Sequence, residues 1–359
     1  MTRRIRVLVV EDSQTIRSRL VEVLAADPEL EVVGEAADGP QAIALCERLR
    51  PDVMTLDMVL RSTSGLQVTE RVMGFCPTPI LIVSASLNRG EAFDTFAALA
   101  AGAVDVLDKP SGDEAPDAPW EATFIAAVKR VSRIRVITHL RGRLSAATRS
   151  RPPPHPASAP PDQAGSHAAS LRLVALGAST GGPGALAHIL QALPASFPLP
   201  LLLVVHIGAP FGALFADWLG QRSELHVRQA VDGERLPAVG QAAVLLAPPD
   251  QHLVLRGGRL HRSAAPERHS CRPSVDVLFE SVAEDLGAAA IGCLLTGMGR
   301  DGAAGLLALR RAGGHTVVQD EASSVVFGMP RAAIALGAAE RVLPLDRIAP
   351  ALMALAGAR

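Results

Sequence analysis

The chain is poor in aromatic residues, in net charge and in long apolar runs. Tyrosine is absent, aromatic residues make up 3% of the 359 positions, and the formal net charge is -1. Nucleic-acid binding draws on aromatic stacking and on an excess of Lys and Arg, so this composition argues against a nucleic-acid partner. No apolar run reaches the roughly 18 residues that a membrane-spanning helix needs, so we expect no direct membrane insertion.

Cysteine is also sparse and shows no metal-type spacing. We interpret the scattered Cys46, Cys76, Cys271 and Cys293 as reduced, buried thiols of a cytoplasmic protein. The N-terminal segment MTRRIRVLVVED has only a short apolar part and no small-residue cleavage site. We therefore expect a first β-strand there and no signal peptide.

A segment rich in Pro, Ala and Ser interrupts the chain at residues 151–170, RPPPHPASAPPDQAGSHAAS. This composition is typical of an extended, semi-rigid linker, with a Pro-rich partner-binding motif as the alternative. The preceding segment, PWEATFIAAVKRVSRIRVITHLRGRL, has helical periodicity and a basic face. We predict a first domain at 1–135, a helix end and linker at 136–169, and a second domain at 170–359.

Short apolar strands alternate with amphipathic helical segments in both halves. The predicted strands are IRVLVV, LEVVGEA, PDVMTLD, PILIVSA and AVDVLDK, followed in the second half by LRLVALG, LLLVVHI, AAVLLAP, AIGCLLTG and HTVVQDE. This alternation predicts a doubly wound, mostly parallel α/β sheet in each domain. In QHLVLRGGRLHRS two short runs flank Gly257 and Gly258, which predicts an inserted β-hairpin.

Polar residues follow four predicted strands of the first half. Glu11 and Asp12 follow the first strand, and Asp57, Ser84 and Lys109 end the third, fourth and fifth. The carboxyl ends of parallel strands meet at one edge of a sheet, and three carboxylates gathered there favour Mg²⁺. Asp57 would then attack a phosphoryl group whose oxygens Ser84 and Lys109 hold, so the pattern predicts a phosphorylation site.

This half, over residues 4–130, resembles the receiver domain of two-component response regulators. The resemblance implies a flavodoxin-like five-stranded fold with phosphorylation of Asp57. Two positions depart from the family pattern: Arg61 replaces a usual proline, and Val106 replaces the aromatic switch residue. Metal contact at Val59 needs only a backbone carbonyl, so we expect the phosphorylation chemistry to survive. We expect these departures to affect how long the phosphoryl group stays on Asp57 and how phosphorylation changes the surface of the domain.

The second half carries a serine, a histidine and an acid near successive strand ends. Ser179 lies in GASTG, a G-x-S-x-G turn between a strand and a helix, where flanking glycines allow a tight bend. His206 follows LLLVV, and Asp301 lies in LLTGMGRDGAAG. A serine nucleophile needs a base within hydrogen-bond reach and an acid that orients the base. The three residues predict a hydrolase in which Ser179 is the nucleophile, His206 is the base and Asp301 is the acid that orients the base.

Two other interpretations of the serine turn are disfavoured. In the α/β-hydrolase fold the acid precedes the histidine, whereas here the order is Ser179, His206, Asp301. A dinucleotide-binding turn needs G-x-G-x-x-G and an acid at the end of the next strand, where this chain has His206.

The other candidate groups of the second half are interpreted as structural. We expect His252 to satisfy loop backbone groups, with a place in the cleft as the alternative, and Ser274 to cap a helix. His269 and Cys271 are close in sequence, which does not by itself make a Cys–His dyad. No metal cluster is indicated in this half.

The second half resembles the catalytic domain of the chemotaxis response-regulator protein-glutamate methylesterases. The matching stretches are GASTGGPGAL, VVHI, APPDQHL, RPSVDVLF, LLTGMGRDGAAGL and VVQDEASSVVFGMPRAA. The resemblance implies a Rossmann-like domain whose triad is Ser179, His206 and Asp301. It adds Thr180 and the backbone N–H of Met298 as oxyanion or substrate groups. Val205 stands where the family usually has glutamine, which leaves the triad intact.

The resemblance also implies the reaction and its partners. The chain would remove γ-methyl esters from glutamates of methyl-accepting chemotaxis receptors, release methanol and also deamidate receptor glutamines. A chemotaxis histidine kinase would be the phosphodonor, the ester reaction would need no cofactor, and we expect a monomer. Before phosphorylation we expect the receiver to pack over the cleft. A catalytically silent scaffold, and the same enzyme outside flagellar chemotaxis, stay open as alternatives.

Overall fold

The computed structural model describes residues 3–85, 88–109, 118–134, 136 and 170–357. Two parallel β-sheets, one in each half of the chain, form its framework, and a two-stranded sheet accompanies the second. The predicted linker at 151–170 lies outside the described residues except for Ser170. The domain boundaries drawn from the sequence therefore stay a prediction.

The first sheet has five strands in the order β2-β1-β3-β4-β5, and every neighbouring pair is parallel. The strands are β1 (Ile5–Val10), β2 (Leu30–Ala36), β3 (Val53–Leu56), β4 (Ile80–Ser84) and β5 (Asp105–Asp108). The helices are α1 (Gln14–Ala25), α2 (Gly39–Leu49), α3 (Gly65–Phe75), α4 (Arg89–Ala100) and α5 (Ala118–Val131). Side chains of Ser13, Asp38, Ser64 and Asn88 cap the first four helices. This is the doubly wound fold that the sequence predicts.

The second sheet has seven parallel strands in the order β14-β13-β12-β6-β7-β9-β8. The strands are β6 (Leu173–Ala178), β7 (Leu201–Val205), β8 (His226–Gln229), β9 (Ala243–Leu246), β12 (Ala290–Leu294), β13 (His315–Gln319) and β14 (Arg341–Leu343). The helices are α6 (Gly182–Ala192), α7 (Ala209–Gly220), α8 (Val275–Asp285), α9 (Ala303–Arg311), α10 (Met329–Ala335) and α11 (Leu345–Leu355). Every residue of β6 and β12 is buried, as expected for central strands covered on both faces.

The predicted hairpin is confirmed as β10 (His252–Arg256) paired antiparallel with β11 (Arg259–Ser263). Gly257 and Gly258 form its two-residue turn with φ of 58° and 68°, a conformation that glycine adopts without strain. The short strands β8 and β14 at the two edges of the second sheet are additions to the predicted set.

Helix α4 of the first half packs against α6 and α7 of the second. The buried ring of Phe96 lies 5.2 Å from Phe215 and 5.5 Å from Trp218 between ring centroids. At the edge of this contact, Arg89 pairs with Asp217 at 3.0 Å. Aromatic rings bury a large apolar area, so this cluster holds the first half of the chain against the second.

Candidate active site

The side on which the chain adds strands to the second sheet changes between β6 and β12. After β6 the chain adds β7, the edge strand β8 and then β9 on one side, and after β12 it adds β13 and β14 on the other. In an open α/β sheet the crevice at the carboxyl ends of the strands next to such a change is the usual ligand site. Ser179 directly follows β6, His206 directly follows β7, and Asp301 lies in the loop after β12.

The structure brings these strand ends close together. Ala178, the last residue of β6, is opposite Val205, the last residue of β7. The N–H of His206 donates to the carbonyl of Ala178 at 3.1 Å. Ser179 and His206 are therefore the next residues along two neighbouring strands.

A close approach of backbone and side chains shapes the serine turn. A Cβ added to Gly177 would lie 2.1 Å from Val275 Cγ1, so only glycine fits there. Gly181 has φ of 78°, and a Cβ there would lie 2.5 Å from Val325 Cβ. The glycines on either side of Ser179 thus have separate reasons to be glycine: packing at the first, and backbone conformation together with packing at the second.

Thr296, which the sequence analysis did not single out, fixes the serine turn from β12. Its carbonyl accepts the N–H of Ser179 at 3.0 Å, and its hydroxyl donates to the carbonyl of Thr180 at 2.9 Å. Its own N–H donates to the side-chain oxygen of Gln319 at 2.8 Å. A motif search for acids, bases and nucleophiles does not find such a residue, because it acts through hydrogen bonds to backbone groups.

His206 and Asp301 form a partly buried pair. The distance between His206 Nε2 and Asp301 Oδ2 is 2.9 Å, and the two side chains are 15% and 2% exposed. Burial opposes the charge on the imidazole, but the hydrogen bonds to Asp301 and Cys271 outweigh it and raise the pKa of His206 to about 9. Burial likewise opposes the charge on Asp301, while His206 and the surrounding donors hold its pKa below the usual value.

Three further groups fix Asp301 in place. Its Oδ1 accepts the hydroxyl of Ser274 at 2.7 Å and the N–H of Asp276 at 3.1 Å, and its Oδ2 accepts the N–H of Val275 at 2.7 Å. These donors belong to the start of α8, where a carboxylate is favoured. His252 in turn accepts the N–H of Ser274 and contacts the carbonyl oxygen of Pro266, each at 3.1 Å.

The geometry gives Ser274 a second contact besides its capping role. The predicted cap is present, since its side chain accepts the N–H of Val277, and the same hydroxyl donates to Asp301. His252 is 1% exposed and bonds to backbone groups, as the favoured interpretation expected.

The second nitrogen of His206 faces Cys271 and not the serine. The distance between Nδ1 and the Cys271 Sγ is 3.6 Å. Within the described part of the chain, the Ser179 hydroxyl makes no hydrogen bond to His206. Because Asp301 occupies Nε2, Nδ1 is the nitrogen left to accept a proton.

The two predicted oxyanion donors have free backbone N–H groups. Among the described residues, neither the N–H of Thr180 nor that of Met298 donates to a protein group. The Met298 side chain is 49% exposed. Two unused donors beside a serine turn are what a developing oxyanion needs.

We expect a pH profile that reflects the raised pKa of His206. A general base must be neutral, so kcat/KM for ester hydrolysis should rise about tenfold per pH unit well below the pKa and level off near pH 9. Initial rates of methanol release, corrected for base-catalysed ester hydrolysis with Ser179→Ala, would give the midpoint. Cys271→Ala removes one group that raises this pKa and should move the midpoint to lower pH. A flat profile between pH values of about 6 and 9 would contradict the assignment of His206 as the base.

The predicted phosphorylation residues come together at the edge of the first sheet. Lys109 Nζ lies 2.8 Å from Asp57 Oδ2 and 2.8 Å from Glu11 Oε2. Burial raises the pKa of both carboxyls. Burial opposes the charge on Lys109 as well, but its bonds to Asp57 and Glu11 raise its pKa. Ser84 is buried at the end of β4 beside β5.

Three carboxylates of this pocket fit a hard divalent cation. One oxygen each from Glu11, Asp12 and Asp57 lies within 4.8 Å of the others. Oxygen donors at this spacing suit Mg²⁺. Arg61, the departure from the usual loop, reaches the same pocket, with its Nε 3.6 Å from Asp12 Oδ2.

None of the described helices combines the length and apolarity needed to cross a bilayer.

Comparisons with known proteins assign both halves of the chain to families. A family model described as CheB methylesterase matches residues 174–352, and one described as response regulator receiver domain matches residues 7–116. Protein-glutamate methylesterase/protein-glutamine glutaminase 2 of Anaeromyxobacter dehalogenans (strain 2CP-C) is 45% identical over 353 residues, covering 98% of this chain and 97% of that protein. Protein-glutamate methylesterase/protein-glutamine glutaminase 4 of Geobacter metallireducens is 44% identical over 357 residues, covering 98% and 99%.

Among solved structures, the CheB methylesterase catalytic domain of Thermotoga maritima shares 36% identity with a TM-score of 0.49, covering 52% of this chain and 100% of that chain. The near full-length identity to the curated relatives is sufficient to assign the family. The chain belongs to the CheB methylesterases that carry an N-terminal response regulator receiver domain.

Proposed function

We propose that this chain hydrolyses γ-methyl glutamate esters on methyl-accepting chemotaxis receptors, under the control of phosphorylation at Asp57. The observation that carries the proposal is the partly buried His206–Asp301 pair, whose histidine follows the strand next to the one that Ser179 follows. The names of the curated relatives, protein-glutamate methylesterase/protein-glutamine glutaminase, support the choice of substrate.

The reaction begins with Ser179. When the ester binds, the Ser179 side chain turns toward His206 Nδ1, which it does not contact in the free chain, and its Oγ attacks the ester carbonyl carbon while Nδ1 takes the hydroxyl proton. Asp301 stabilises the imidazolium through Nε2. The carbonyl oxygen becomes an oxyanion held by the N–H groups of Thr180 and Met298. The methoxy group then leaves with the proton from His206 as methanol, and the γ-carboxyl stays on the serine as an ester.

Water completes the cycle, and His206 again acts first as a base and then as an acid. His206 takes a proton from water, the hydroxide attacks the acyl-enzyme, and Ser179 leaves with that proton. The product is a glutamate side chain on the receptor. A glutamine side chain would form the same acyl-enzyme with ammonia as leaving group, so we include glutaminase activity in the proposal.

The receiver is placed to influence this site. Its α4 packs on α6, the helix that follows the serine turn. Arg130 and Arg133 of the α5 region line a cleft of about 960 Å³ whose other wall includes Met298 and Arg331. Phosphorylation that shifts these contacts needs to change the balance of closed and open arrangements by about 1.4 kcal/mol to raise activity tenfold.

Asp57 would receive the phosphoryl group from a histidine kinase, with Lys109 and the Ser84 hydroxyl holding its oxygens. Glu11, Asp12 and Asp57 are the residues that would hold Mg²⁺. When bound, Mg²⁺ neutralises charge on the transferring phosphoryl group. We propose that the ester reaction needs no cofactor. We also propose that the protein is a cytoplasmic monomer and that nucleic acid is not among its partners.

Methanol release from methylated receptor membranes tests the proposed function against a silent scaffold. The purified full chain should release methanol in proportion to enzyme and leave free glutamate side chains, which mass spectrometry of receptor peptides detects. Ammonia release from unmodified receptor tests the glutaminase reaction in the same samples. A chain that binds receptor and accepts phosphate without releasing methanol would favour the scaffold.

A further inference from the structure

Cys271 forms and breaks no bond in the proposed reaction, yet its sulfur lies against the base. Its Sγ is 3.6 Å from His206 Nδ1, the ring nitrogen opposite the one bound by Asp301. A tight turn places it there: the N–H of Cys271 donates to the carbonyl of Arg268, and the reverse bond is also made. The two residues between them, His269 and Ser270, have φ of 53° and 59°. Cys271 is half-buried, unlike the three other cysteines, which are buried.

We propose that Cys271 and His206 form a binding site for a thiophilic divalent cation such as Zn²⁺, and that the bound ion inhibits the esterase. Zinc takes sulfur at about 2.3 Å and imidazole nitrogen at about 2.0 Å, so a separation of 3.6 Å corresponds to an angle of roughly 110° at the metal. That is the tetrahedral angle zinc prefers. The separation of the two ligand atoms thus suits zinc, and the thiol proton of Cys271 is released to solvent when the ion binds.

Asp301 strengthens the site without being moved. A metal-bound histidine usually donates its other N–H to a carboxylate, which fixes the ring and increases its basicity. The Nε2 of His206 already has this bond to Asp301 at 2.9 Å. Two protein ligands leave two positions of a tetrahedral site for water.

The ion would block catalysis through the base. Zinc on Nδ1 occupies the lone pair that takes the proton of Ser179, and it adds a positive charge beside the nucleophile. Inhibition by this route rests on the proposed function, whereas the binding of the ion does not. A metal-binding measurement without any ester therefore tests the metal site independently of the proposed function.

Two other clusters of potential ligands suit zinc less well. Asp276, grouped with His269 and Asp301, already accepts the N–H of Gly305 at 2.7 Å and contacts His269 Nε2 at 3.0 Å. Its carboxylate is thus engaged in a structural network. The acidic pocket of the receiver offers only oxygen ligands, which favour Mg²⁺, and excess Mg²⁺ keeps it occupied during a zinc titration.

The test is a titration of the untagged full chain with Zn²⁺ in excess Mg²⁺, followed by calorimetry. Titration with Cd²⁺, read from the ultraviolet thiolate-to-metal band, reports directly on sulfur ligation. We expect Cys271→Ala and Cys271→Ser to weaken Zn²⁺ binding by about tenfold or more and to lose the Cd²⁺ band, with Ser179→Ala unchanged. The serine variant keeps a hydrogen-bonding group beside His206 and guards against a folding defect. Equal affinity and an equal band in wild type and both cysteine variants would overturn the site.

Esterase assays complete the test, with each variant compared with its own zinc-free rate. The Zn²⁺ concentration for half-inhibition should rise about tenfold or more in both cysteine variants, and Ca²⁺ should not inhibit any of them. Cysteine-dependent binding without inhibition of an active wild type would overturn the inhibitory claim. Cysteine-dependent binding by a chain that releases no methanol at all would support the metal site and count against the proposed function.

Discussion

Ser179→Ala should lower the rate of methanol release by about four to six orders of magnitude. The variant keeps the base, its acid and the two unused backbone donors, but it has no oxygen that can form the acyl-enzyme. Removal of the nucleophile from a serine triad leaves only the rate that oxyanion binding and substrate positioning provide. The measurement is single-turnover methanol release at enzyme in excess over methylated receptor.

The folding of this variant should be unchanged. Ser179 is half-buried, and its hydroxyl makes no hydrogen bond within the described residues, so the free energy of unfolding should change by less than about 0.5 kcal/mol. Ser223→Ala is a control for activity alone: that half-buried serine precedes β8 at the amino end of the strands, and its hydroxyl accepts the N–H of Leu225. If Ser179→Ala kept a rate within about tenfold of wild type, another nucleophile would be responsible.

Asp301→Asn should lower kcat by about 10⁴-fold with the backbone in place. An amide cannot stabilise the imidazolium that forms when His206 takes a proton, and it no longer favours the tautomer that leaves Nδ1 free. Asp301 is 2% exposed and accepts three hydrogen bonds besides the one to His206. The variant should therefore also lose about 1–3 kcal/mol of stability.

Thermal unfolding separates these two effects. The activity of Asp301→Asn is measured at a temperature where its circular dichroism shows a folded chain. Asp250→Asn is the control, because Asp250 is 67% exposed and its pair with Arg272 should contribute little to stability. A folded Asp301→Asn variant with wild-type kcat would show that the His206–Asp301 pair is structural.

The strands that carry the site could be predicted because they are long apolar runs ended by polar residues. The strands β6, β7 and β12 are almost wholly buried, so their sequences are nearly continuous in Val, Leu, Ile and Ala. The edge strands β8 and β14 were missed for the opposite reason. They are short, and the sequence HVRQ of β8 has neither an apolar run nor a clear alternation.

The contacts that position the triad could not be predicted from motifs. Thr296 and His252 act on backbone groups of residues distant in sequence, and nothing in their neighbourhood signals it. The sequence places Cys271 only two residues from His269. Its sulfur instead contacts the carbonyl oxygen of His269 and the ring of His206, because the tight turn directs it toward the strand ends.

The docking of the two halves also depends on tertiary packing. The ring of Phe96 belongs to an amphipathic helix of the receiver, and its burial against Phe215 and Trp218 follows from how the two sheets are placed. Sequence periodicity marks such residues as apolar and cannot distinguish the interior of one domain from a contact between two.

Phosphodonor-dependent methanol release by the full chain tests the central claim, a receiver-controlled serine esterase, most directly. Wild type and Asp57→Ala are assayed on methylated receptor with and without a small acyl phosphate in the presence of Mg²⁺. We predict that the acyl phosphate raises the wild-type rate by about tenfold and leaves the Asp57→Ala rate at the unstimulated level. Equal stimulation of both proteins, or none in a wild type that carries phosphate on Asp57, would contradict the account.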